Sequence, residues 1–127
     1  MARVRLRTAF FVLVSAASLL APLAAAARPP TLPEREAITR ALPAYLRNTP
    51  IECVWLDVSV SRNPRYALVA PVSLNATTPG SRCIRYAGNG FYVLKKARRW
   101  RVVYEGSVEP PCKLGVPRDL VRCFAAP

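Results

Sequence analysis

The four cysteines of this 127-residue chain, Cys53, Cys83, Cys112 and Cys123, and its complete lack of histidine narrow its folds more than any other feature. With no Cys-x-x-Cys spacing and no imidazole, the cysteines do not spell a zinc site. They read instead as two disulfides, the usual staples of an exported domain too small to rely on its core alone. Each contributes about 2–4 kcal/mol by restricting the unfolded chain. Four cysteines allow three pairings, and spacing alone does not choose. Cys112 and Cys123 bracket the last expected helix, so a bridge there pins the chain end to the sheet. Cys53 and Cys83 are then the other pair, with at least one of them in a loop, because second-neighbour strands are too far apart to bridge.

Export is read from the N-terminal segment. Arg3, Arg5 and Arg7 precede an uncharged apolar run from Ala9 through Leu20, followed by Pro22 and the triplet Ala25-Ala26-Ala27. These are the basic, apolar and small-residue regions of a secretory leader. Residues 1–27 are therefore expected to be a signal peptide and 28–127 a single secreted domain. The alternative is an N-terminal membrane anchor, since 8–27 approaches the roughly 20 residues that span a bilayer. The alanines and Pro22 suit a peptidase better than a lipid core. No cysteine precedes Cys53, which excludes lipid attachment at a leader cysteine.

Beyond the leader, the periodicity describes an α+β domain. Thr31 and Glu34 have capping-box spacing, and Ile38, Ala41, Leu42, Tyr45 and Leu46 recur on one helical face. Pro43 splits or kinks that helix near Leu42. From Cys53 the period becomes two. Val54, Leu56, Val58 and Val60 alternate with Trp55, Asp57, Ser59 and Ser61, and after the turn Arg62-Asn63-Pro64-Arg65 the alternation resumes at Tyr66, Leu68, Ala70, Val72 and Leu74. Pro71 requires a free edge or a bulge there. Cys83 to Ala87 reads as a short strand or an extension of the next one. Phe91 to Lys96 and Trp100 to Glu105 form a second hairpin, with Trp100, Val102 and Tyr104 on one face. A short helix is expected from Val116-Pro117, with Val116, Leu120, Cys123 and Phe124 together. The expected fold is an N-terminal helix packed on a four-stranded antiparallel meander, with a short C-terminal helix and two disulfides.

The run Val58-x-Val60-Ser61-Arg62-x-Pro64-x-Tyr66-Ala67, then Trp100-x-Val102-Val103-x-x-Gly106-Ser107, then Val116-Pro117, Leu120 and Cys123 resembles small secreted actinobacterial proteins of unknown function. That resemblance implies strand ends, turns and a disulfide, and carries no catalytic residue. The order of elements is similar to cystatin-like folds, but the Gln-x-Val-x-Gly hairpin of cystatins is missing, and fold alone does not imply function.

Charge supplies the functional reading. The chain carries nineteen Lys and Arg against seven Asp and Glu, a net +12, and the part after Ala27 keeps sixteen against seven, or +9. Such a field attracts polyanions and hastens encounters with acidic partners. The candidate binding cluster is Lys95, Lys96, Arg98, Arg99 and Arg101 beside Trp100, suited to an anionic polymer or an anionic membrane surface. The plainer alternative is a solvated turn whose charges protect an edge. Arg62 and Arg65 flank the other hairpin turn, which leaves the sheet at the same end, so a joint patch is conceivable against scattered surface arginines. Arg82 and Arg85 lie near the following loop.

Catalysis has little to work with. There is no histidine to activate a nucleophile, the cysteines are spent as disulfides, and the nearest carboxylate pairs, Glu52 with Asp57 and Glu105 with Glu109, read as surface charge. Asp57 is read as ordinary on a solvated face and as paired structurally on a covered one. Asn75-Ala76-Thr77 is a formal glycosylation sequon expected to stay unused. Tyr86, Phe91 and Tyr92 form either a recognition loop for a protein or strand core. The expectation is therefore a non-enzymatic secreted binding domain without cofactor, metal or specific nucleic-acid motif. Its partner is unknown: an anionic polymer, an anionic membrane surface or an extracellular protein, the last as an inhibitor of an extracellular enzyme.

Overall fold

The computed structural model describes residues 26–86, 88 and 90–125, so nearly all of the expected leader lies outside the described residues. Helix α1 runs Leu32–Ala41 and α2 runs Ala44–Arg47, and strands β1 (Val54–Val60), β2 (Tyr66–Ser73), β3 (Phe91–Lys96) and β4 (Trp100–Gly106) follow. The strands form one antiparallel sheet in chain order. The α+β meander, its two disulfides and a short C-terminal helical turn are as the sequence implies.

Thr31 begins α1 through the expected capping box, its hydroxyl accepting from the Glu34 N–H while the Glu34 carboxylate accepts from the Thr31 N–H. Pro43 divides the helices and occupies the cap of α2. Ile38 and Leu42 are buried against Val58 and Val60 of β1, Ala67 and Val69 of β2, Tyr92 and Leu94 of β3, and Trp100 of β4. On β2 the helix-facing set is thus Ala67 and Val69, while Tyr66 and Leu68 project from the other face. The register explains this: Val60 opposes Ala67 and Val58 opposes Val69, and cross-strand partners share a face.

The second face carries its own cluster. Tyr66, Val93 and Val116 are buried there, with Phe91, Tyr104, Leu114, Leu120 and Val121 packed around them. The C-terminal segment therefore covers part of the sheet opposite the helices. It does so without the helix expected from Val116: the helical element is a 3-10 turn at Cys112–Leu114, and a single turn closed by Leu120 N–H to Pro117 O follows. The Cys112–Cys123 bridge and paired bonds between Cys112 and Phe124 and between Phe124 and Pro110 hold the segment. Gly115, with φ 65°, ends the 3-10 turn, and the segment after it closes only the one turn at Pro117.

Two further departures have local causes. A bulge between Val93 and Leu94 on the β4 side makes Leu94 oppose Val102 but Val93 oppose Tyr104. The extra residue moves Tyr104 to the second face and brings Glu105 opposite Tyr92. Of Cys83 to Ala87, expected as a short strand or an extension of the next one, Cys83 to Tyr86 belong instead to a 3-10 turn at Arg82–Tyr86, and Ala87 lies outside the described residues. The Ser81 hydroxyl accepts the Cys83 N–H, and the Cys53–Cys83 bridge ties this turn to the start of β1.

The outer edge of β1 is guarded. Arg28 exchanges two backbone bonds with Val60, each 2.8 Å, and the Arg35 guanidinium donates to Leu56 O at 2.8 Å while lying over the Trp55 ring. Such caps suppress edge-to-edge pairing. Arg28 also grips both oxygens of Glu34. That grip, with the Thr31 N–H, holds the Glu34 carboxyl at about 2, below its ordinary 4.5. A depressed folded-state value means the stabilisation is complete above the unfolded value and drains away as pH falls from about 4.5 through about 2. Glu34→Gln is expected to cost about 1 kcal/mol at neutral pH and to flatten stability across that acid window, as read by denaturant titrations at a series of pH values.

Candidate functional site

Hairpin turns in a meander emerge at alternate ends, so the β1–β2 and β3–β4 turns share one end of this sheet. They are bonded to each other: the Lys96 N–H donates to Arg65 O at 2.7 Å. Arg62, Arg65, Lys95, Lys96, Arg98 and Arg99 are all exposed. Lys95 lies over the Tyr66 ring on the second face and Lys96 over the Trp100 ring on the helix face, so cations line both sides of the sheet end. Trp100 itself is 6 % exposed and belongs to the core. Arg101 opposes Lys95 in the ladder and shares its face.

On the helix side, a groove of about 450 Å³ opens between α1 and the β3–β4 turn, lined by Arg40, Lys96, Arg98 and Arg99 over Ala37, Ala41 and Trp100. Arg40 is the member the sequence reading did not include. Its position at the end of α1 is visible in the helical pattern, but its approach to the turn depends on how the helix crosses the sheet.

The β1–β2 turn is fixed by a long-range contact. Ser61 is 1 % exposed, and its hydroxyl donates to Asp119 Oδ1 at 2.8 Å while accepting the Asn63 N–H at 3.0 Å. The Arg62 N–H donates to Asp119 Oδ2 at 2.7 Å. One carboxylate of the C-terminal segment thus shapes the turn that carries Arg62 and Arg65. Three other acids are ion-paired elsewhere: Glu34 with Arg28, Glu36 with Arg40, and Glu52 with Arg82. Among the described residues no carboxylate forms an ion pair with Arg62, Arg65, Lys95, Lys96, Arg98 or Arg99.

At the other end of the sheet lies a second concavity. The β2–β3 ladder stops at Val69 and Tyr92, while β2 continues to Ser73 paired only with β1. Pro71 occupies this overhang, the free edge that its missing N–H calls for. The Ser73 hydroxyl donates to Tyr86 O and accepts the Gly88 N–H, tying the loop to the overhang. Gly90 has φ +151°, and a Cβ there would meet Gly106 O at 3.3 Å, so glycine lets the loop enter β3 beside β4. The resulting cleft of about 300 Å³ is bounded by Tyr45 and Leu46 of α2, Pro71, Arg85, Tyr86 and Tyr92.

Behind this cleft, the hydroxyls of Tyr45 and Tyr92 contact each other and both donate to Glu105 Oε1, at 3.0 and 3.2 Å. Burial, reinforced by these neighbours, pushes the Tyr92 phenol far above its ordinary range, so it remains a neutral donor. Tyr45 was expected on the buried helical face and is 59 % exposed instead. Tyr92 is core, Phe91 stacks near Tyr104 with ring centroids 5.7 Å apart, and Tyr86 lines the cleft, so the three do not form one loop. Of the carboxylates considered for catalysis, Glu52 pairs with Arg82, Asp57 is exposed on β1, Glu105 is held by the tyrosines, and Glu109 is exposed. The Asn75 amide donates to Glu52 O at 3.1 Å, from a residue with φ 55°.

No family model, curated protein or solved structure matches this chain.

Removing the carboxylate in Asp119→Ala strands the nearly buried Ser61 hydroxyl and the Arg62 N–H, and is expected to lower stability by about 1–3 kcal/mol. Asp119→Asn keeps one acceptor and is expected to lose less. Denaturant midpoints of the two variants check this order.

Proposed function

We propose that this is an exported, non-enzymatic binding domain that docks by its basic sheet end onto an anionic polymer. The observation that carries the reading is the Arg65–Lys96 backbone bond, which joins the two hairpin turns into one cationic surface. Among the described residues, no acid neutralises that surface by ion pairing. Export is supported by two disulfides, which persist in oxidising compartments. The arginine-led apolar segment before Arg28 supplies the route, as a leader cleaved near Ala27. Among the described residues, no helix is long and apolar enough to cross a membrane.

The physical case rests on charge density rather than fit. Cations held on turns, outside any ion pair among the described residues, release counterions when they meet closely spaced anions, and binding of this kind weakens as salt rises. Burial of Trp100 keeps the turns in place while their charges stay in water. The groove gives the surface depth and adds Arg40 of α1, a cation shared with Glu36 across an exposed 4.0 Å ion pair.

Affinity for polyphosphate and heparin, measured over a salt series, tests the reading. A variant neutralising Lys96, Arg98 and Arg99 to Gln is expected to lose most of the binding and much of its salt dependence. A charge-matched variant at Arg47, Lys113 and Arg122 is expected to lose little. Equal losses in the two variants would reduce the attraction to net charge. Preference for anionic vesicles over both polymers would replace the polymer by a membrane surface.

A further inference from the structure

We infer that the cleft at the end of the sheet opposite the basic turns binds a small aromatic or short-chain carboxylate, with its apolar body against Pro71, Tyr86 and Tyr92 and its charge on Arg85. The site is separate from the polymer-binding surface: the part of β2 from Tyr66 to Pro71 stands between them, about 16 Å at the usual rise per residue.

Volume and lining set the size and character of the ligand. About 300 Å³ is at the lower end of the range for small-molecule sites and suits one ring or a short chain. Leu46, Val54, Pro71 and the tyrosine rings make most of the wall apolar, so a ligand gains by leaving water. A wholly apolar ligand would leave the guanidinium unused.

Charge sets the sign. Among the described residues, Arg85 is the one charged residue lining the cleft, and no carboxylate pairs with it. Its guanidinium carbon lies 5.6 Å from the centroid of the Tyr86 ring, which places the cation beside an apolar part of the same wall, and guanidinium N–H groups pair well with a carboxylate. Glu105 is not part of the lining. Both tyrosine hydroxyls donate to it, so its charge is partly compensated by those bonds.

The walls are also fixed before any ligand arrives. Arg85 belongs to the 3-10 turn whose Cys83 is bridged to Cys53, and the Ser73 hydroxyl bonds Tyr86 O and the Gly88 N–H. On the opposite wall, the Thr49 hydroxyl donates to Tyr45 O at 2.7 Å and the Tyr45 hydroxyl reaches β3 and β4. A cleft held this way spends little binding energy on ordering its own side chains.

The test is titration of the full disulfide-bonded domain by calorimetry and by NMR of its tyrosine ring signals. Benzoate and hexanoate are the probes, with benzyl alcohol and benzyltrimethylammonium as neutral and cationic controls. The carboxylates are expected to bind and to shift the Tyr86 and Tyr92 signals, with affinity at least about tenfold lower in Arg85→Gln, the loss expected for one charge-assisted contact. Arg85 is exposed and outside the core, and the dispersion of the same spectra verifies that the variant is folded. The variant at Lys96, Arg98 and Arg99 is expected to bind benzoate as the parent does, which separates this site from the polymer surface whatever the fate of that reading. Equal weakening by the two variants would overturn the inference. So would preferential binding of the cation with loss in Glu105→Gln, or unchanged tyrosine signals at millimolar carboxylate.

Discussion

The structure depends first on burying a divided helix against a small sheet. Ile38 and Leu42 reach Val58, Val60, Ala67, Val69, Leu94 and Trp100, and this contact joins all four strands beneath two helical segments. Ala67 is fully buried in this layer, and so small a side chain at that position leaves room for close approach by the helix. With only one such layer available to a domain of this size, the second face has to be closed by something shorter than a helix. The disulfide-bonded C-terminal segment does this through Val116 and its neighbours.

Much of this was legible in the sequence because the relevant signals are local. The Thr31–Glu34 spacing marked the start of α1, Pro43 its division, and alternation from Val54 to Val60 the first strand with its correct inward set. The bridge expected between Cys112 and Cys123, because they bracket the end of the chain, is present, and Pro71 announced the free edge beside which the cleft opens. Each feature is settled within a few residues of backbone geometry.

What escaped the sequence depends on distant partners. The inward set of β2 is fixed by register against β1, and both residue sets of that strand are apolar enough to have served. The 3-10 turn at Arg82–Tyr86 exists because Cys83 must reach Cys53. Asp119 reads as one acid among several until the chain end is folded back onto Ser61. The basic cluster was visible as a run of charges, whereas the cleft was not visible at all, because Tyr45, Arg85 and Tyr92 come together only where two strands part.

The bulge opposite Val93 and Leu94 has a consequence for how the chain tolerates changes of length. Side-chain direction in a strand is a matter of parity, and the bulge is a single odd step in an otherwise even count. Upstream of it, Trp100 and Val102 face the helices; downstream, the parity reverses, and Glu105 takes the helix side while Tyr104 takes the C-terminal side. Gly106 accommodates the reversed arrangement, since a Cβ there would stand 2.6 Å from the Tyr104 hydroxyl, which bonds Val108 O. An insertion or deletion of one residue in β4 therefore exchanges the partners of two layers at once. Length variation in this strand is confined to steps of two, even though its outer surface is open to water.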